Sequence, residues 1–113
     1  MEKMEVKSLS KPEEVRTFDK GKLKIINIGG RTVGRATFQP GLRSQSVKPL
    51  VNTKSGEAPH FQYQLSGTIR VKMDDGTERD LKVGGVSLLG AGHDACVIGD
   101  APVVVVDFQG MVD

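Results

Sequence analysis

Three side chains in this 113-residue chain could do covalent or metal chemistry: His60, His93 and Cys96. Two imidazoles bind a divalent transition metal when carboxylates join them, and Glu57 and Asp94 stand near enough in sequence to serve. The plainer reading makes both histidines hydrogen-bonded residues of a pocket. Cys96 could be a nucleophile with His60 or His93 as its base, a dyad sufficient for acyl transfer from an activated ester. A free cysteine more often packs as a small apolar side chain. Strand alternation also puts Cys96 on the face opposite His93. As the only cysteine it forms no intramolecular disulfide and no zinc-binding cysteine cluster.

Other motifs carry less. Gly29-Gly30, Gly84-Gly85 and Gly90-Ala91-Gly92 are not followed by a helix with Lys-Ser or Lys-Thr, so they read as turns rather than phosphate cradles. Ser44, Ser46, Ser55 and Ser87 lack a Gly-x-Ser-x-Gly setting. Lys48 and Lys54 could form Schiff bases only if desolvated, and nothing in their surroundings calls for that.

Composition narrows the partners. Sixteen Lys and Arg against fourteen Asp and Glu give a net charge of +2, too small for a nucleic-acid footprint. Aromatics make up 4% with no Trp, so few rings are available to stack bases. No long helical pattern offers a groove-reading helix. No apolar run approaches the roughly 20 residues that span a bilayer. The charged N-terminus Met1-Glu2-Lys3-Met4-Glu5 shows no signal-peptide pattern. The expectation is one cytoplasmic domain with no nucleic acid and no membrane as partner.

The elements that must position the candidate residues are strands. Ser10-Lys11-Pro12-Glu13 has the form of a capping box, which predicts a short helical turn over about 11–16 within a polar segment 1–21. From residue 22 the apolar period becomes two. Strands are predicted over 22–28, 31–39, 45–50, 60–65, 68–73, 77–83, 86–89, 93–98 and 101–109, with Asp75-Gly76 as a hairpin turn. Short strands separated by turn signals predict an all-β sandwich or barrel over 22–113. In His60-Phe61-Gln62-Tyr63-Gln64-Leu65 the alternation sets Phe61, Tyr63 and Leu65 against His60, Gln62 and Gln64. Two glutamines and a histidine without a charge fit a partly enclosed cavity better than an open solvent face.

The stretch 39–108 resembles the cupin superfamily of small jelly-roll barrels. Three features carry the resemblance: Pro40-Gly41; Tyr63-Gln64-Leu65-Ser66-Gly67 followed by Asp74-Asp75-Gly76; and Val83-Gly84-Gly85 followed by Gly90-Ala91-Gly92-His93-Asp94. Counting back from Gly67 puts His60 where the first cupin motif has its glutamate. The two upstream histidines would fall within 53–56, where none stands. In the second motif Gly90 replaces a proline, and Ala95 stands where a metal-binding histidine belongs. The resemblance therefore implies a cupin-type β-barrel with a degenerate metal site.

The same resemblance implies a small-molecule-binding protein with an open, mostly apolar barrel pocket. Its expected lining is His60, Gln62, Gln64, His93, Ser46 and Leu88. A residual metal site would use His60 and His93, with a divalent transition metal as the cofactor. The alternative is an enzyme in the same pocket, using either that metal or a hydrolase-type site of Cys96 and His60. Similar cupins often carry Trp near 42–44 and at 96, Pro at 90 and Asp at 85. Leu42, Arg43, Ser44, Cys96, Gly90 and Gly85 stand there instead. Such thinning of pocket walls reads either as drift or as deliberate enlargement of the cavity. Small barrels of this type pair through strands, so a homodimer is expected, with the apolar strand 22–28 as the element exchanged.

Overall fold

The computed structural model describes residues 4–42, 60–89 and 93–109, apart from the side chains of His60, Leu89, His93 and Gln109. Every element among them is a strand. In chain order these are β1 (Glu14–Phe18), β2 (Gly21–Ile28), β3 (Arg31–Phe38), β4 (His60–Ser66), β5 (Thr68–Met73), β6 (Glu78–Leu81), β7 (Val86–Leu89), β8 (His93–Ile98) and β9 (Val103–Gln109). They form two antiparallel sheets. One has six strands in the order β1-β2-β3-β9-β4-β7, the other three in the order β6-β5-β8. The non-sequential neighbours β3-β9-β4 fold the termini of the barrel into one sheet. The strand expected over 45–50 lies outside the described residues.

The core lies between the sheets. Ala36, Val103 and Val105 from the larger sheet meet Ile69 and Val97 from the smaller one. Leu42, only 2% exposed, closes this apolar end, and its carbonyl accepts from the Val97 amide at 3.2 Å. Strand alternation explains the membership, because every second residue of β9, β5 and β8 points inward.

The expected helical turn over 11–16 is not present. Glu14–Phe18 is a strand, paired with β2 from Glu14 opposite Ile25 to Phe18 opposite Gly21. Six residues cannot repay the cost of nucleating a helix alone. Two competing bonds take the segment instead: the Glu13 amide donates to the Ile25 carbonyl at 2.9 Å, and Glu13 Oε1 accepts from the Asn27 amide at 2.6 Å. The β1–β2 hairpin thus runs across residue 21, where the barrel was expected to begin. It also places β2 between β1 and β3, paired on both edges within the chain. β1 and β7 are the outermost described strands of that sheet.

At Gly21 a side chain would require the Phe18 ring to turn away. A Cβ there would sit 2.0 Å from the Phe18 ring, which lies 6.2 Å from the Phe38 ring. The Asp75-Gly76 turn forms as the sequence predicts. Asp75 accepts from the Thr77 amide at 2.8 Å, and β5 and β6 pair on either side.

Candidate functional site

β4 carries the candidate site because it separates two kinds of surface. Gln64 is 2% exposed, while Tyr63 and Leu65 on either side are 40% and 44% exposed. The polar set of the alternation therefore faces the interior, and the apolar set faces out. β4 pairs with β7 on one side and β9 on the other. Gln62 stands opposite Ser87 and Asp107, and Gln64 opposite Val105. The inner face thus changes character along the strands, from apolar at Val103 and Val105 to polar at Gln62, Ser87 and Asp107.

Gln64 is the most constrained member. Its Nε2 donates to the Gly67 carbonyl at 3.0 Å and the Leu81 carbonyl at 3.1 Å. Its backbone joins the 84–85 turn, the Gln64 amide donating to Gly85 O and the Gly84 amide donating to Gln64 O, both at 2.9 Å. With the amide nitrogen anchored in this way, the Oε1 acceptor is buried and receives no hydrogen bond among the described residues. A buried acceptor left unmet costs free energy that a polar guest could recover.

The expected lining residues separate. Gln62 and Gln64 share the inner face. Position 60 has their parity and stands opposite Leu89; position 93 stands opposite Met73 on β8. The side chains of His60 and His93, and the whole of Ser46, lie outside the described residues. Leu88 does not line the interior. It lies opposite Phe61 on the outer face and is 62% exposed, because β7 takes its parity from β4.

Cys96 also stands apart. It pairs with Arg70, whose other neighbour is Asp80 on β6. Arg70 and Asp80 form a bidentate pair at 2.8 and 3.2 Å, and they are exposed on the outer face of the three-stranded sheet. The half-buried thiol shares that face, while position 60 lies on β4 of the other sheet.

Asp107 is the residue that sequence reasoning missed. The signal was available: a carboxylate two residues beyond Val105 in an alternating strand shares its inward parity. The run Val103-Val104-Val105-Val106 hid it by reading as one apolar block.

A centre of three nitrogen ligands and a carboxylate does not fit this chain, which contains two histidines in total. Among the described residues no group of three His, Cys, Asp or Glu side chains could hold a metal.

With the two sheets, their strand order and the inward polar end in place, similarity to solved structures becomes informative. A protein of unknown function from Rhizobium leguminosarum bv. viciae 3841 superposes with a TM-score of 0.68 at 14% identity, over 96% of this chain and 97% of that one. The cupin domain of Schizosaccharomyces pombe Cnp3 matches with a TM-score of 0.57 at 15% identity, over 83% of this chain and 64% of that one. The chain has the cupin fold. Another match is Bacillus subtilis oxalate decarboxylase, a cupin-fold protein with Mn(II) centres. Its TM-score is 0.53 at 21% identity, over 87% of this chain but 27% of that one. No protein-family model matches the chain, and no curated protein does.

Proposed function

We propose that this cupin-fold protein binds a small polar molecule between its sheets, at the end of the interior marked by Gln62, Gln64, Ser87 and Asp107. The observation that carries this reading is Gln64: its amide nitrogen is committed to two backbone carbonyls, and its buried oxygen awaits a donor. Gln62 and Asp107, opposite each other on the same face, add one amide and one carboxylate. Such a set recognises a guest with hydroxyl or amide N–H groups, since carbonyl and carboxylate oxygens accept. Leu42 and the valines of β9 close the apolar end, so the guest sits toward His60 and His93, which complete the proposed lining.

The test is ligand-observed NMR with a panel of small sugars, hydroxy acids and carboxamides, on the full chain and on Gln62→Trp. Panel members that bind are expected to lose their signal transfer in the variant. No binder in the panel, or binders indifferent to Gln62→Trp, would defeat the reading. Metal analysis of protein prepared without chelator tests the residual metal site separately: substoichiometric divalent metal removes it, and a full equivalent supports it.

A further inference from the structure

An open groove of about 240 Å³ lies over β2 and β3, lined by Gly21, Lys22, Lys24, Arg35, Thr37 and Gln39. Strand parity puts it on the outer face of the six-stranded sheet. Leu23 and Ala36 pack into the core, so Lys22, Lys24, Arg35 and Thr37, one step along, turn outward. The register sets Lys24 directly opposite Arg35 and Lys22 opposite Thr37. Gln39 joins them beside the β1–β2 turn, where its backbone amide donates to the Lys20 carbonyl at 2.7 Å.

Like charges directly opposite each other weaken a sheet, because their Cβ atoms stand only about 5 Å apart. A carboxylate in the neighbouring register positions would relieve the repulsion, and none stands there. Val15 and Thr17 flank the cations on β1, and Val106 and Val104 flank Arg35 and Thr37 on β9. Ile26 and Val33 fill the next outward step of β2 and β3. The carboxylates nearest on β1 are engaged elsewhere: Glu14 with Arg16 at 2.6 Å, and Glu13 with Lys7 and the Asn27 amide. Asp19 is exposed in the β1–β2 turn and bonds to none of the three cations. Among the described residues, no ion pair or hydrogen bond uses the side chain of Lys22, Lys24 or Arg35. Lys24 and Arg35 are also half-buried, so salt screens them less than fully exposed cations.

We infer that this groove binds a small dianion of the phosphate class, either inorganic phosphate or a phosphate monoester. Arg35 offers a planar fork that matches two phosphate oxygens, and Lys22 and Lys24 supply point charges. The Thr37 hydroxyl and the Gln39 side-chain amide add neutral donors in the same groove. Three cations exceed what a monocarboxylate neutralises, whereas a phosphate dianion spreads its charge over several strong acceptor oxygens. The bound anion also relieves the repulsion between Lys24 and Arg35, so the free groove is primed for it. This site is independent of the proposed interior pocket, because it opens on the other side of the same sheet.

The experiment is an amide-correlation NMR titration of the full chain with sodium phosphate, glycerol 3-phosphate and sodium acetate, at an ionic strength held constant with chloride. Phosphate or its ester is expected to give saturable shifts at the amides of 22–24 and 35–39. Acetate is expected to bind roughly tenfold more weakly or worse. Arg35→Gln and Lys24→Gln are each expected to weaken phosphate binding by roughly tenfold or more. Lys72→Gln, on the outer face of the smaller sheet, is expected to leave it unchanged. Phosphate should raise the melting temperature of the parent and not that of the two groove variants, since a ligand of the folded state stabilises it. Should Arg35→Gln fail to fold, Lys24→Gln reads the same groove. Tighter binding of glycerol 3-phosphate than of phosphate supports a phosphorylated small molecule as the ligand, and the reverse order supports the free ion. The absence of saturable shifts with both, acetate binding as well as phosphate, or folded groove variants that bind like the parent would each overturn the inference.

Discussion

Gln62 and Asp107 are direct register partners on the inner face of the larger sheet, an amide and a carboxylate side by side across β4 and β9. Below them on the same strands, Gln64 pairs with the buried Val105, so Gln64 stands at the border of the polar end. The boundary between polar and apolar interior therefore falls within two residues of β4, and substitutions on its two sides should behave differently.

Gln62→Trp should fold with a melting temperature close to that of the parent. Gln62 is half-buried, and an open polar end, as proposed, would admit an indole there. If the interior were full, the same change would overpack it and cost about 1–3 kcal/mol. Thermal melting followed by circular dichroism distinguishes the two, and a large drop would defeat the open-end reading.

Gln64→Leu should lower stability by about 1–3 kcal/mol, the cost of leaving a buried polar group unmet. The substitution strands the Gly67 and Leu81 carbonyls that Nε2 now satisfies. It also removes the unmet Oε1, which works in the opposite direction. Urea unfolding checks the balance. A variant as stable as the parent would mean that the amide anchors nothing.

Gly67→Ala should destabilise far more than Gly76→Ala, although both glycines have positive φ, +74° and +94°. The left-handed conformation costs a non-glycine residue roughly 1–2 kcal/mol at either site. At Gly76 the added Cβ meets nothing within 4 Å, whereas at Gly67 it would sit 2.4 Å from the Pro102 carbonyl oxygen. Backbone on both sides must then shift. Equal melting temperatures for the two variants would contradict the close approach of these segments.

Acid should unfold the protein in part through the exposed carboxylates of its turns and hairpins. The Asn27 amide, with Lys7, holds the Glu13 carboxyl below its ordinary value of 4.5. The Thr77 amide lowers Asp75, and the Arg70 guanidinium lowers Asp80, both from 3.8. A folded pKa below the unfolded one gives stability that is present above the unfolded value and lost as pH falls through the folded value. Melting temperature should therefore hold down to about pH 5 and fall below that, across the ordinary carboxylate range. Glu13→Gln should have a shallower fall, and an acid profile identical to the parent's would remove Glu13 from this account.

Much of the fold was legible because strand periodicity is local. The alternation over 60–65 announced β4, Asp75-Gly76 announced the β5–β6 hairpin, and the strands over 68–73, 86–89 and 93–98 begin and end as predicted. The helical turn was misread because a capping box is also local evidence, and it was outweighed by pairing with β2. The candidate site was half legible. Gln62 and Gln64 followed from alternation together with the cupin resemblance, while Leu88 failed because β7 takes its facing from β4. Asp107 was visible in principle as the odd polar residue of an inward parity.

By itself, then, the sequence determined which residues share a face within each strand, because side chains alternate by geometry alone. It also ruled out a three-histidine metal centre by count. Only the tertiary structure decided which face turns inward and which strands become neighbours. Those choices are made by contacts between residues far apart in the chain: Val97 against Leu42, Gln64 against Leu81, β9 between β3 and β4. Alternation is the same for a strand and for its mirror assignment, and only burial against a second sheet breaks that tie.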